Sequence, residues 1–266
     1  VELLSDSLTP VSAFAAVAKQ TDYAFLLESV VGGENIARYS FIAANPRERF
    51  QAVRDQVTVQ GPAGVEQFQT GDPLGVLAAR LAGYKAVHLP ELPRFVGGAV
   101  GYAAYDAVRY YEPVGDAPHD DRGLPDLLFG IFDTMIVFDH VRKTVKVVSH
   151  AHVADEGGVD GAYDAACRRI DRMVAALSSP GPRIGQIDVA GQPTLGFSSN
   201  VTREQFERAV ESCLEYIRAG DIFQVVLSQR LCVATKADPF DIYRALRVVR
   251  SEERRVGKEC RWRWWR

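Results

Sequence analysis

The sequence has few cysteines and histidines. Its four cysteines lie far apart, with no Cys-x-x-Cys pair, so we predict neither a zinc site nor a dithiol redox centre. Separate core thiols are typical of proteins in a reducing compartment, and we expect a cytoplasmic protein. His150 and His152 alternate on a possible strand, but no third metal ligand is evident, so we expect surface histidines there.

Long apolar runs and a surplus of basic residues are also missing. No apolar run reaches the length of about 18 residues that a membrane helix needs, and the first residues do not form a basic segment followed by an apolar one, so we expect neither a membrane span nor export. The formal net charge of -3 leaves the main body mildly acidic, which argues against a nucleic-acid-binding surface. With 47% hydrophobic and 24% charged residues, the composition is that of an ordinary folded domain.

Residues 250–266 differ from everything before them. They contain seven Lys or Arg, three Glu and all three tryptophans, and they show neither helical nor strand periodicity. We interpret this segment as a tail foreign to the fold, an artefact of cloning or assembly, and exclude it from the fold prediction. The alternative is a genuine basic and aromatic tag that binds membranes or nucleic acid.

The remaining sequence contains an alternation of helices and short strands. Thr9-Pro10 and Asp72-Pro73 are each typical of a helix N-cap and first turn, and they predict helices ending near Lys19 and Leu81. Hydrophobic periodicity predicts a further helix at 160–177. Apolar runs bounded by turn residues predict strands at 23–29, 38–43, 51–60, 127–138 and 144–149, of which the last two form a hairpin.

A stretch rich in Ser, Pro and Gly divides the sequence into two parts. We predict a first domain at 1–180, a linker at 181–200 and the start of a second domain at 201–249. The second part opens with Thr202-Arg-Glu-Gln205, the spelling of a capping box. Its helix is expected to end at Gly220 and to be followed by a strand at 222–232 and a helix at 238–249.

Three motifs follow one another along the chain. The first is Leu26-Leu-Glu-Ser29 with Arg38-Tyr-Ser-Phe-Ile-Ala-Ala-Asn-Pro46 behind it. The second is Phe95-Val-Gly-Gly-Ala-Val-Gly-Tyr-Ala-Ala-Tyr-Asp106, whose glycines do not match a phosphate-binding loop and predict close packing between a strand and a helix. The third is Ile217-Arg-Ala-Gly-Asp-Ile-Phe-Gln-Val-Val-Leu-Ser-Gln-Arg230.

Together these motifs resemble the chorismate-utilising enzymes, and among them the large subunits of anthranilate synthase. The resemblance implies an α+β fold in which mixed or antiparallel sheets carry helices on their outside, an αββα sandwich that is incomplete here. It implies conversion of chorismate and ammonia to anthranilate and pyruvate, with ammonia supplied by a glutamine amidotransferase subunit. The alternative within the family is aminodeoxychorismate synthase.

The resemblance also assigns candidate site residues. Gln224 is expected to line the chorismate and ammonia pocket, where members that add water carry a lysine; alone, it reads as a strand amide. Ser29 is expected to contact the feedback inhibitor L-tryptophan, with Glu28 near the ammonium and with Arg38 and Ser40 at the rim. Without the resemblance, Ser29 reads as a turn residue bonded to local backbone.

No catalytic or metal-binding residue is expected within 1–249. The resemblance implies Mg²⁺ bound by carboxylates, and it places these ligands and the general acid after residue 249. We therefore expect the 266-residue chain to be an inactive fragment. The alternative to a truncated enzyme subunit is a noncatalytic remnant that binds the effector.

Overall fold

The computed structural model describes residues 1–19, 21–28, 38–117, 119–179, 184–188 and 195–248. The chain forms two compact units, Val1–Ile184 and Gly185–Arg266. The boundary between them falls inside the segment predicted as a linker, while the exact domain limits stay a prediction. The tail at 250–266 lies outside the described residues.

The first unit contains two five-stranded sheets, and every strand pair described in them is antiparallel. The first sheet has the order β1 (Glu2–Leu4), β10 (Thr144–Ser149), β9 (Thr134–Asp139), β3 (Tyr39–Ala44) and β2 (Ala24–Leu27). The second sheet has the order β6 (Gly64–Gln69), β5 (Gln56–Gly61), β4 (Glu48–Val53), β8 (Leu127–Phe132) and β7 (Gly98–Ala103).

Helices cover the outer faces of these sheets. The described helices of the first unit are α1 (Pro10–Ala18), α2 (Pro73–Ala82), α3 (Gly158–Ser178) and a short 3-10 helix, Tyr105–Tyr110. Helices α1 and α3 bury Ala13, Val17 and Leu177 against the first sheet, and α2 buries Leu77 against the second. A third cluster, centred on Ala43, Phe132 and Met135, packs the sheets together. The predicted α+β fold with helices outside the sheets is confirmed.

The helix starts follow the local signals in the sequence. Thr9 accepts a hydrogen bond from the Ser12 backbone N–H at 3.1 Å, and Asp72 accepts one from Gly75 at 2.9 Å. In each case a proline occupies the first turn, where it has no helical hydrogen bond to lose. The two predicted N-caps are confirmed.

Two of the predicted strands are wrong because each is in fact two strands. The run predicted at 51–60 turns back at Arg54, whose φ of 52 lies in the left-handed region. The run predicted at 127–138 breaks at Asp133, so that β8 belongs to the second sheet and β9 to the first. Only β9 forms the predicted hairpin with β10. Each break falls on a pair of polar residues, Arg54-Asp55 and Asp133-Thr134, which the prediction treated as part of one strand.

The described part of the second unit contains a short two-stranded sheet and two helices. Strand β11 (Ser198–Ser199) pairs with β12 (Leu231–Cys232), α4 spans Arg203–Ala219, and a further helix covers 239–248. The capping box of Thr202 with Gln205 is confirmed, and Gly220 ends the helix at φ 81. The strand predicted at 222–232 is wrong for most of its length, because within that range the described structure pairs only Leu231–Cys232 as a strand.

The expectation of core thiols holds only in part. Cys167 in α3 and Cys213 in α4 are half-buried, whereas Cys232 in β12 is exposed. The prediction placed Cys232 inside a longer, paired strand, and that strand does not form. Within the described ranges, no helix combines the length and the apolar character needed to cross a membrane.

Candidate functional site

The predicted effector residues gather at one end of β2 and β3. These strands are antiparallel, and their last pair is Leu27 with Phe41. Glu28 follows Leu27 and Ser40 precedes Phe41, so both residues lie at the same end of the strand pair. Ser29 lies outside the described residues, and its role stays a prediction.

Arg38 is held by a carboxylate from a different part of the sequence. Its Nε lies 3.1 Å from Asp139 Oδ2 and 3.2 Å from Oδ1, and its Nη2 lies 2.7 Å from Oδ2. The guanidinium carbon also lies 4.9 Å from the centre of the Tyr39 ring. The Arg38 side chain is 34% exposed, whereas that of Asp139 is 3% exposed. Among the described residues, no hydrogen bond reaches Nη1 of Arg38, so this side of the fork can bind a second carboxylate.

Asp139 is ionised and doubly anchored. Besides Arg38, the backbone N–H groups of Val141 and Arg142 donate to its Oδ1 at 3.1 and 3.0 Å. Burial opposes ionisation, but the hydrogen bonds from Arg38 and the turn outweigh it, and the pKa of Asp139 lies below its ordinary value. The hydrogen bond to Asp139 in turn raises the pKa of Arg38. The pair therefore carries both charges at neutral pH.

Ser40 lies beneath the surface. It is 1% exposed, and its hydroxyl lies 2.8 Å from Nε2 of His140. The backbone N–H of His140 donates to the carbonyl oxygen of Arg38 at 2.8 Å, and its ring stacks on Phe138 with centroids 6.4 Å apart. This burial favours a supporting role for Ser40, and its predicted place at the pocket rim stays a prediction.

The sequence prediction missed Asp139 and His140. Both were predicted only as part of the loop between two strands. An Asp that opens a tight turn commonly accepts backbone N–H groups two and three residues on, and this signal could have identified the turn role of Asp139. Its bond to Arg38 spans 101 positions and depends on the pairing of β3 with β9, for which the sequence carries no local signal.

The glycine motif serves close packing, but between two strands. A Cβ on Gly101 would lie 1.9 Å from the carbonyl oxygen of Leu128 and 2.6 Å from Cα of Phe129, both in β8. The predicted close approach is therefore confirmed, and the predicted helix partner is wrong. The register explains this, because Gly101 pairs directly with Phe129 across the sheet.

The two neighbouring histidines are structural and partly buried, not surface residues as predicted. Nε2 of His150 lies 3.1 Å from the Val96 carbonyl oxygen, and Nε2 of His152 lies 3.1 Å from Oδ2 of Asp133. The His152 side chain is only 11% exposed. Over the ranges that the structure describes, no group of three or more His, Cys, Asp or Glu side chains could hold a metal ion.

Gln224 belongs to the second unit and is exposed there. It lies in an unpaired segment that begins just after Gly220, the residue that ends α4. The predicted role of Gln224 in a chorismate and ammonia pocket stays a prediction.

Relatives of known function resemble nearly all of this chain. Anthranilate synthase component 1 of Acetivibrio thermocellus is 38% identical over 253 residues, which cover 94% of this chain and 51% of that protein. The protein of the same name from Thermus thermophilus is 40% identical, with 92% of this chain and 50% of the relative covered. That from Synechocystis sp. is 36% identical, with 93% and 50% covered. The chain spans about half the length of the curated relatives it matches.

A family comparison covers both structural units. Residues 22–256 match the family described as chorismate binding enzyme. This match spans well over half of the 266 residues and includes the strand pair of Glu28 and Ser40 as well as the segment around Gln224. The chain belongs to the chorismate-binding enzyme family.

Proposed function

We propose that this chain is the front half of the large subunit of an anthranilate synthase. The complete enzyme, a lyase, converts chorismate and ammonia to anthranilate and pyruvate, the first step of tryptophan biosynthesis. The observation that carries the proposal is the identity of 36–40%, over more than nine-tenths of this chain, to relatives named anthranilate synthase component 1. We place the enzyme in the cytoplasm.

Gln224 favours ammonia as the nucleophile. A carboxamide does not accept a proton at neutral pH, so it cannot act as the general base that activates water. Ammonia needs no such base. In this proposal the ammonia comes from glutamine through an amidotransferase subunit, the second component of the enzyme.

Magnesium does not fit the residues at hand. The described ranges hold no cluster of three metal-ligating side chains, so we derive no step through a metal ion from them. The proposal places the Mg²⁺ ligands, and the general acid that releases the 4-hydroxyl of chorismate, in a part of the subunit beyond this chain. The 266-residue chain should then be inactive on its own.

Regulation by L-tryptophan is assigned to the end of β2 and β3. The side of Arg38 that Asp139 leaves open suits the carboxylate of an amino acid, and Glu28, at the same strand end, suits its ammonium. Ser29 and Ser40 complete the proposed site. A noncatalytic remnant that binds tryptophan is the second candidate function, favoured by the position of Glu28, Arg38 and Ser40 within a chain that spans about half the length of its relatives.

The test of the proposed function is an assay of anthranilate fluorescence with chorismate, ammonium and Mg²⁺. Sequencing the source genome across codons 249–252 gives the complete reading frame, whose product is assayed beside the 266-residue chain. We expect anthranilate from the former and none from the latter. If the product is aminodeoxychorismate, the chain belongs to an aminodeoxychorismate synthase. If the reading frame ends where this sequence ends, the noncatalytic remnant is the function that stands.

A further inference from the structure

The turn that follows β9 is attached to the proposed effector site at two points. Asp139 binds the guanidinium of Arg38 through Nε and Nη2, and His140 contacts the hydroxyl of Ser40 at 2.8 Å. The backbone N–H of His140 also donates to the Arg38 carbonyl oxygen. Two adjacent turn residues thus hold Arg38 and Ser40, two of the residues that we assign to the effector site.

The geometry of Arg38 suggests what this attachment achieves. A guanidinium has five N–H donors in one plane, and one carboxylate oxygen pair occupies only one edge of it. A free arginine side chain would lose rotamer freedom on binding a ligand, whereas one already held on its Nε side loses less. Asp139 therefore presents the Nη1 side of Arg38 in a fixed orientation.

The turn itself is rigid enough to serve this purpose. Oδ1 of Asp139 accepts two backbone N–H groups of the turn, from Val141 and Arg142. The His140 ring stacks on Phe138, a core residue that is 1% exposed. Movement of the Asp139 carboxylate would break these contacts as well as the one to Arg38.

We propose that Asp139 is a positioning residue for binding of an amino-acid effector, which aims Arg38 at the effector's carboxylate, and that His140 braces the turn through Ser40. This assignment rests on the proposed effector role of Glu28 and Arg38 and extends it to two residues that touch no ligand. Charge and position act in opposite directions here. The negative charge of Asp139, taken alone, weakens the attraction between Arg38 and a second carboxylate, so its removal should strengthen effector binding. If removing the charge weakens effector binding instead, the role of Asp139 is to orient Arg38.

The test is a titration of the 266-residue chain with L-tryptophan, followed by NMR chemical shifts. For the original sequence we expect saturable shifts with a dissociation constant on the order of 1 mM, a range that such titrations measure well. Asp139→Asn keeps an oxygen for the turn N–H groups and removes the charged partner of Arg38. We expect it to weaken L-tryptophan binding about tenfold, because charge-assisted bidentate pairs are the strong ones.

Tryptamine separates positioning from general damage to the fold, because it has the ring and the ammonium of tryptophan but no carboxylate. Asp139→Asn should leave tryptamine binding unchanged. As a matched control, Asp155→Asn removes another arginine-bound carboxylate, the partner of Arg47 at 2.6 Å, and should change neither affinity. His140→Phe keeps the stacking on Phe138, removes the contact to Ser40, and should weaken tryptophan binding less than Asp139→Asn does.

The outcomes distinguish the two levels of the proposal. The positioning role is wrong if Asp139→Asn and His140→Phe leave the affinity for tryptophan unchanged or raise it. It is also wrong if they lower the affinities for tryptophan and tryptamine equally, and in both cases the effector site stands. If the original chain shows no saturable shift with L-tryptophan, the effector role fails and the positioning role fails with it. Should Asp139→Asn not fold, the comparison of the two ligands on His140→Phe decides in the same way.

Discussion

Asp133 and His152 are in hydrogen-bond contact at the point where the chain passes from one sheet to the other. Asp133 is the one residue between β8 and β9, and its Oδ2 lies 3.1 Å from Nε2 of His152. Its Oδ1 accepts the hydroxyl of Thr134 at 3.0 Å, and Nε of Arg169, from α3, lies 4.0 Å from Oδ2. The Asp133 side chain is 12% exposed, so its partners have little access to water as a substitute.

Replacing Asp133 by alanine should destabilise the first unit. The substitution leaves His152 without this acceptor in a poorly hydrated place and removes one of two partners of the Thr134 hydroxyl, which still lies 3.0 Å from Oγ of Ser149. We expect a loss of about 2 kcal/mol in the free energy of unfolding. Urea denaturation measures this quantity. The control is Asp155→Ala, which removes a carboxylate that is 61% exposed and should cost less than about 1 kcal/mol. An equal loss of unfolding free energy in the two variants would show that the contacts of Asp133 stabilise the fold no more than an exposed ion pair does.

Gly101 should not tolerate a side chain. A Cβ there would lie 1.9 Å from the Leu128 carbonyl oxygen, which belongs to the backbone of β8 and cannot rotate away. We expect Gly101→Ala to part β7 from β8 and to destabilise the protein by about 3 kcal/mol or more. Gly71→Ala is the matched control, because nothing lies within 4 Å of the added Cβ. Thermal denaturation of both variants checks the prediction, and similar midpoints would contradict it.

Stability should depend on pH through Asp139. Its pKa lies below the ordinary value of about 4, because the hydrogen bonds from Arg38 and the turn outweigh burial, so the unfolded chain binds a proton more readily. The stabilising contribution is therefore fully present above the unfolded pKa and is lost as the pH falls through the folded one. We expect the difference in unfolding free energy between the original chain and Asp139→Asn to be constant near neutral pH and to shrink below about pH 4. A difference that grows toward acid pH would contradict this.

The parts of the fold that the sequence predicts are those fixed by neighbouring residues. Thr9, Asp72 and Thr202 mark helix starts correctly, because each cap accepts a backbone N–H three residues away. The break at Asp133 is different, since it is stabilised by His152 and by Arg169, which the sequence does not place beside it. The Asp133-Thr134 pair interrupts the apolar run, but two polar residues do not by themselves indicate that the next strand joins a different sheet.

The candidate site also has parts fixed by neighbouring residues and parts fixed by distant ones. The sequence motif identifies Glu28 and Ser40, and antiparallel pairing of two successive strands brings them to one end. The support of Arg38 by Asp139 requires β3 to pair with β9, a long-range choice made by packing in the core. The strand predicted at 222–232 fails for a related reason, because apolar residues alone do not make a strand without a hydrogen-bonded neighbour.

The capping box of α4 offers a test of a local interaction with little tertiary packing around it. Thr202 Oγ1 accepts the Gln205 backbone N–H at 3.2 Å, and the Gln205 side-chain oxygen accepts the Thr202 N–H at 2.8 Å. None of the described side chains of α4 is buried, so capping carries a larger share of this helix's stability than packing does. Thr202→Ala should destabilise the helix by about 1 kcal/mol.

Amide hydrogen exchange in the first turn of α4 measures this effect, and it should accelerate in Thr202→Ala because the Gln205 N–H loses its acceptor. Ser212→Ala is the matched control in the same helix. Its hydroxyl donates to the Arg208 carbonyl oxygen, which helical N–H groups already serve, so its loss leaves no orphan donor. Alanine is also the better helix former, and Ser212→Ala should slow exchange or leave it unchanged. Acceleration of the same size in both variants would show that composition, not the cap, determines how α4 begins.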